Sequence, residues 1–317
     1  LQSRSLAATT ERAIWRALHQ LPATRSTTRS GQETMTCSRA QESEATERVG
    51  RDLNPTAGLR ASIDGSGPDL LLIHGLSAHR GEWDDATRLL QERFRVIRPD
   101  LAGRGESRAG SGARFGLEVE VDRLIEFADS VDLRLPIMVG HSQGAALAVA
   151  LSARFPARAL LLVNPVTPWT RRPPLLRVLE SELVRQAIAP VLRHYRRPLT
   201  RYILTRRVYA DPTRATEDAV TRYADAFASP ERARTLARVL ADWRPAELAE
   251  FDRPAGVPVR VLTGGRDRRT PPDMARRWSD RLGGSCTVLE NCAHGVPEEA
   301  PERVADLIVE LDRVSSA

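Results

Sequence analysis

The chain has 317 residues, 41% of them hydrophobic, which is enough for one large domain with a sizeable core. All 47 basic residues are arginine against 41 acids, and without a basic run interleaved with aromatics the excess of +6 does not point to nucleic acid. Three cysteines, Cys37, Cys286 and Cys292, neither pair completely nor follow metal-ligand spacing, and no apolar run spans a bilayer or forms a signal peptide, so a soluble, cytoplasmic chain with free thiols is expected.

Residues 1–56 are rich in Ser, Thr, Arg, Gln and Glu around one apolar patch, AIWRALHQL at 13–21, and are expected to form a flexible leader. From Ala57 the pattern changes. A short strand at LRASID is followed by near-continuous apolar runs at DLLLIHG (69–75), FRVIRPD (94–100), PIMVGHS (136–142), ALLLVNP (159–165), VPVRVLTGG (257–265) and SCTVLENCAH (285–294). Such runs suit parallel strands covered on both faces. Amphipathic stretches alternate with them, among them GEWDDATRLLQE, LEVEVDRLIEFADSV, PPDMARRWSDRL and PERVADLIVELDRV. This alternation predicts a doubly wound α/β fold with a mostly parallel sheet. Its core takes in 57–167 and 255–317. Residues 168–254 hold only helical periodicity broken by prolines, and predict a helical lid inserted between two strands.

The run IMVGHSQGAA (137–146) ends a predicted strand and opens a predicted helix. Gly140-His141-Ser142-Gln143-Gly144 fits the G-x-S-x-G elbow, in which a sharp turn exposes a serine hydroxyl above the sheet. The N–H of Gln143, at the start of the helix, would face a developing oxyanion. A serine nucleophile needs a base and an orienting carboxylate elsewhere in the chain, and Asp267 in GGRDRRTPP and His294 in NCAHGVPEEAP follow Ser142 and can supply them. The second oxyanion donor falls on the backbone of Leu76, after Gly75. His74 is expected to brace that loop, and Asp100, Gly103, Gly105 and Ser107 to shape a turn. His79, His141 and His194 have no partner that the sequence identifies, and Trp169 and Trp243 are expected to pack.

HGL (74–76), DLAGRGES (100–107), GHSQG, GGRD and CAHGVPEEAP resemble, in that order, the motifs of the α/β-hydrolase superfamily over about 59–317. The resemblance implies a Ser142-Asp267-His294 triad with Leu76 and Gln143 as oxyanion donors and no cofactor or metal. The function it implies is hydrolysis of a small-molecule carboxylic ester or thioester through an acyl-enzyme on Ser142. The same residues would also serve lactone or carbon–carbon bond hydrolysis, or a natural-product tailoring step. A ligand-binding protein with little turnover is a further reading, and an interaction protein using its basic lid is another. Ten arginines against two glutamates lie between Arg171 and Arg207. They suit either a solvated face or an anionic carrier such as coenzyme A or acyl carrier protein.

Overall fold

The computed structural model describes residues 51–53, 58–110, 112–252 and 255–315. Its strands are β1 (Arg51–Leu53), β2 (Ala61–Asp64), β3 (Asp69–Ile73), β4 (Arg95–Pro99), β5 (Ile137–His141), β6 (Ala159–Val163), β7 (Val259–Gly264) and β8 (Ser285–Leu289). They form one eight-stranded sheet in the order β1-β2-β4-β3-β5-β6-β7-β8. The β1–β2 and β2–β4 pairs are antiparallel, and every pair from β4–β3 to β7–β8 is parallel.

The helices of the core are α1 (Asp84–Leu90), α2 (Leu117–Ser130) and α3 (Gln143–Ser152), and later in the chain α8 (Pro272–Arg281), α9 (Val296–Glu299) and α10 (Pro301–Ser315). Side chains alternate across a strand, so a continuous apolar run serves two cores. Leu71, Ile73, Met138, Leu160 and Leu162 pack under α2, α3 and α8. Leu70, Leu72, Ile137, Val139, Leu161 and Val163 pack on α1 and α10. The doubly wound α/β expectation therefore describes this sheet.

Strand β1 lies inside the segment read as a leader. Three residues, RDL, offer no alternation to read, and its pairing is defined by main-chain register with β2, Arg51 facing Ile63 and Leu53 facing Ala61. Residues 1–50, with the patch at 13–21 and Cys37, lie outside the described residues. Cys286 and Cys292 are free. No described helix is long and apolar enough to cross a membrane.

Between β6 and β7 the described residues hold helical structure only: α4 (Glu182–His194), α5 (Arg196–Ile203), α6 (Glu217–Ala224) and α7 (Pro230–Asp242), with shorter turns between. Prolines open several of these turns, at 174, 212, 230 and 245, where a missing N–H loses nothing. Pro190 differs, because α4 continues through it. An interior proline costs about 3 kcal/mol, and the preceding Ala189 packs in one cluster with Ala233 and Leu236 of α7.

Candidate active site

The carboxyl ends of β5, β6 and β7 meet at one place, and the residues just beyond them build the site. Ser142 follows β5 with φ 53° and ψ −111°, a conformation that only a surrounding structure can impose on a non-glycine residue. The flanking glycines make it possible. A Cβ on Gly140 would lie 2.2 Å from the carbonyl oxygen of Gly144, and one on Gly144 would lie 2.2 Å from that of Ile73. Strand, turn and helix can cross this closely only without side chains.

Ser142, Asp267 and His294 come together. His294 Nε2 is 3.0 Å from Ser142 Oγ, and its Nδ1 is 2.8 Å from Asp267 Oδ2. A ring that donates from Nδ1 to the carboxylate presents the Nε2 lone pair to the hydroxyl, as a base should. Burial holds the His294 pKa below 6.5, since it outweighs the attraction of Asp267. The ring is therefore neutral near pH 7. Burial would raise the Asp267 pKa, but His294 and the N–H groups of Arg269 and Thr270, at 2.7 and 3.1 Å from Oδ1, keep it below its usual value.

The backbone around Leu76 and Gln143 lies beside the serine. Gln143 opens α3 directly after Ser142. Gly75, beside Leu76, is so close that a Cβ built on it would lie 3.5 Å from the Cβ of Ser142. Among the described residues, neither the N–H of Leu76 nor that of Gln143 donates to a protein acceptor. His74 braces this loop as expected. Its Nδ1 donates to the Gly75 carbonyl at 2.7 Å and its Nε2 accepts from the N–H of Leu101 at 2.9 Å, while burial drives its pKa to about 4. Asp100 shapes the next turn, accepting the N–H groups of Arg80 and Glu106.

Four residues escaped sequence reasoning. Asn164, just after β6, donates from Nδ2 to Asp267 Oδ2 at 2.8 Å and to the Ala293 carbonyl at 3.1 Å. Its place at a strand's carboxyl end, level with Ser142 and Asp267, was the signal available. His141 and Glu82 form a buried pair beside the site, with Nδ1 2.7 Å from Oε1. Arg104 is buried against Glu120 and donates to the Gln143 side-chain oxygen at 3.0 Å. These partners lie 16 to 129 residues apart, and no motif spacing announces them.

The helices between β6 and β7 contact the loops beside the serine and His294. Leu76 packs against Ala189, Phe227, Ala233 and Leu236, and the N–H of Gly295 donates to the Val208 carbonyl at 2.8 Å. Ser142 retains 9% of its exposure and His294 5%. Trp169 meets Trp278 edge-on at 5.9 Å and Trp243 is buried, so both pack.

Strand order, the turn after β5 and the aligned serine, histidine and aspartate define the class: an α/β fold of the hydrolase type. The chain belongs to the alpha/beta hydrolase family, whose model matches residues 70–307. It is 27% identical over 253 residues to the pimeloyl-[acyl-carrier protein] methyl ester esterase of Nitrosomonas europaea, covering 78% of this chain and 96% of that protein. The 2-hydroxymuconate semialdehyde hydrolase of Pseudomonas sp. strain CF600 is 32% identical over 120 residues, 36% of this chain and 42% of its own. Among solved structures, a thermophilic esterase from Thermogutta terrifontis superposes with a TM-score of 0.67 at 23% identity, covering 85% of this chain and all of that one, which shows the shared fold.

Proposed function

We propose that the protein is a serine hydrolase that cleaves a carboxylic ester or thioester of a small molecule through an acyl-enzyme on Ser142. The observation that carries this reading is the unbroken line Ser142 Oγ to His294 Nε2 and His294 Nδ1 to Asp267, at 3.0 and 2.8 Å. Ser142 attacks the carbonyl as His294 takes its proton, and the N–H groups of Leu76 and Gln143 hold the oxyanion. His294 then protonates the leaving group, and water activated by the same ring releases the acyl chain. Residues 168–254 act as a lid that must shift to admit substrate, since the serine is nearly covered.

The name of the Nitrosomonas relative supports an acyl chain borne on an anionic carrier as the finer reading. Of the ten lid arginines, Arg172, Arg185, Arg197 and Arg201 pair with glutamates, whereas Arg171, Arg177, Arg193, Arg196, Arg206 and Arg207 meet no carboxylate among the described residues. One experiment addresses both levels. A fluorophosphonate should label Ser142 stoichiometrically, and label on another serine would end the assignment. In the same preparation, kcat/KM for an anionic thioester should fall steeply as salt rises toward about 0.15 M while a neutral ester of equal acyl length stays flat. Equal salt profiles would leave the arginines as surface.

Asn164 fixes the carboxylate that orients His294. Asn164→Ala should lower kcat by about 10- to 100-fold, the worth of a hydrogen bond to a buried charge, with KM for a simple ester little changed. A rise in KM at constant kcat would assign Asn164 to substrate binding instead.

A further inference from the structure

We infer that the buried pair Glu82–His141 is a positioning clamp, which holds the loop bearing Leu76 and the loop bearing His294 in register with Ser142. The inference rests on the proposed roles of these residues, but its structural basis is independent of them. His141 Nδ1 lies 2.7 Å from Glu82 Oε1, and its Nε2 lies 2.8 Å from the main-chain oxygen of His294. Both ring nitrogens face oxygen acceptors. A neutral imidazole has one N–H and one lone pair, so either tautomer would set a lone pair against an oxygen. With Glu82 ionised, only the doubly protonated ring satisfies both contacts.

Glu82 extends the chain of bonds in the other direction. Its Oε2 accepts the N–H of Gly75 at 2.9 Å, one residue before Leu76. Gly75, Glu82, His141 and the His294 carbonyl thus form one line, and His141 itself precedes Ser142. The groups around the pair are the His294 ring, 5.0 Å away between centroids, with Asp267 behind it, the Tyr223 hydroxyl of α6 at 3.4 Å from Glu82 Oε1, and Glu298 of α9 bonded to Tyr223 at 2.8 Å. His74, at the end of β3, is neutral by its own bonds.

The electrostatics agree. Burial disfavours charge on His141, but the Glu82 carboxylate and the bonds to both ring nitrogens outweigh it and raise the pKa above 6.5. Glu82 is likewise disfavoured by burial yet held down to about 2 by His141 and Gly75. The positive ring in turn helps keep His294 neutral. Because the folded pKa of His141 is raised, the clamp is fully present below about 6.5 and is lost as pH rises through the raised value. Turnover should therefore have an acid limb from His294 and an alkaline limb from His141.

The test uses full-length protein labelled with 15N-histidine. At neutral pH His141 should carry protons on both ring nitrogens and His74 on one, and the loss of the second His141 proton should coincide with the alkaline limb of Ser142 fluorophosphonylation and of kcat. Glu82→Gln should move the His141 titration and that limb together by about one pH unit or more to lower pH, and raise the acid limb of His294. It should reduce kcat at neutral pH by about tenfold with KM altered less than about threefold. His141→Gln should abolish the alkaline limb. A singly protonated His141 at neutral pH, or an alkaline limb unmoved in Glu82→Gln, overturns the clamp. Should Glu82→Gln not fold, the wild-type coincidence of ring titration and labelling rate decides alone. If Ser142 neither labels nor turns over, the reading of function falls while ring protonation still judges the clamp.

Discussion

Ser142→Ala will lower kcat for an activated ester by about 10⁵-fold, and Asp267→Asn by about 10⁴-fold, as expected of the proposed serine triad, whose members act as a unit. The alanine variant loses the hydroxyl that His294 Nε2 faces at 3.0 Å. The asparagine variant keeps the shape of the carboxylate but turns a donor toward His294 Nδ1, which favours the wrong tautomer. Neither change opens a cavity of consequence or orphans a buried charge, so stability should stay within about 0.5 kcal/mol for Ser142→Ala. Steady-state kinetics together with urea denaturation check both halves. A loss of activity matched by a loss of fold would remove the case for chemistry at Ser142.

The largest stability effect should come from beneath the elbow. Arg104 and Glu120 are both buried, 3.4 Å apart, and Arg104 also bonds the Ala102 carbonyl at 2.6 Å and Gln143 Oε1 at 3.0 Å. Burial raises the Glu120 pKa and lowers that of Arg104, so the pair does not fully recover its desolvation. Glu120→Leu should cost about 3–5 kcal/mol, because it leaves Arg104 buried against neutral acceptors only. Arg104→Met should cost less, since Arg123 still reaches Glu120 at 2.8 Å. Combining Arg104→Met with Glu120→Leu should recover most of the loss, because an apolar pair needs no water. The double variant should remain about tenfold slower than wild type, since Gln143 has lost the bond that orients it. Denaturant midpoints and kcat separate these outcomes. A double variant no more stable than the singles would mean that desolvation does not govern the pair.

The contrast between these two predictions shows what the sequence made legible. Ser142, Asp267 and His294 could be named because each sits in a short local pattern, a strand followed by a turn that only certain residues permit. Strands β3, β5, β6 and β7 were legible because coverage on both faces forces near-continuous apolar runs. Strand β1 was not, since three residues carry no period. His141, Glu82, Arg104 and Asn164 were illegible for another reason. Each takes its role from a partner distant in the chain, and a buried charge looks the same in sequence as a solvated one. Geometry alone turns His141 from an unassigned histidine into the neighbour of both Glu82 and His294.

The backbone at Ser142 carries one more implication. At φ 53° a residue with a Cβ is strained by about 1–3 kcal/mol, and glycine would relieve most of it. Thermal endurance alone would thus favour glycine at this position. Serine is found there instead, so the fold bears a permanent thermodynamic debit at the position of the proposed nucleophile, and the two apolar cores flanking the sheet must carry it.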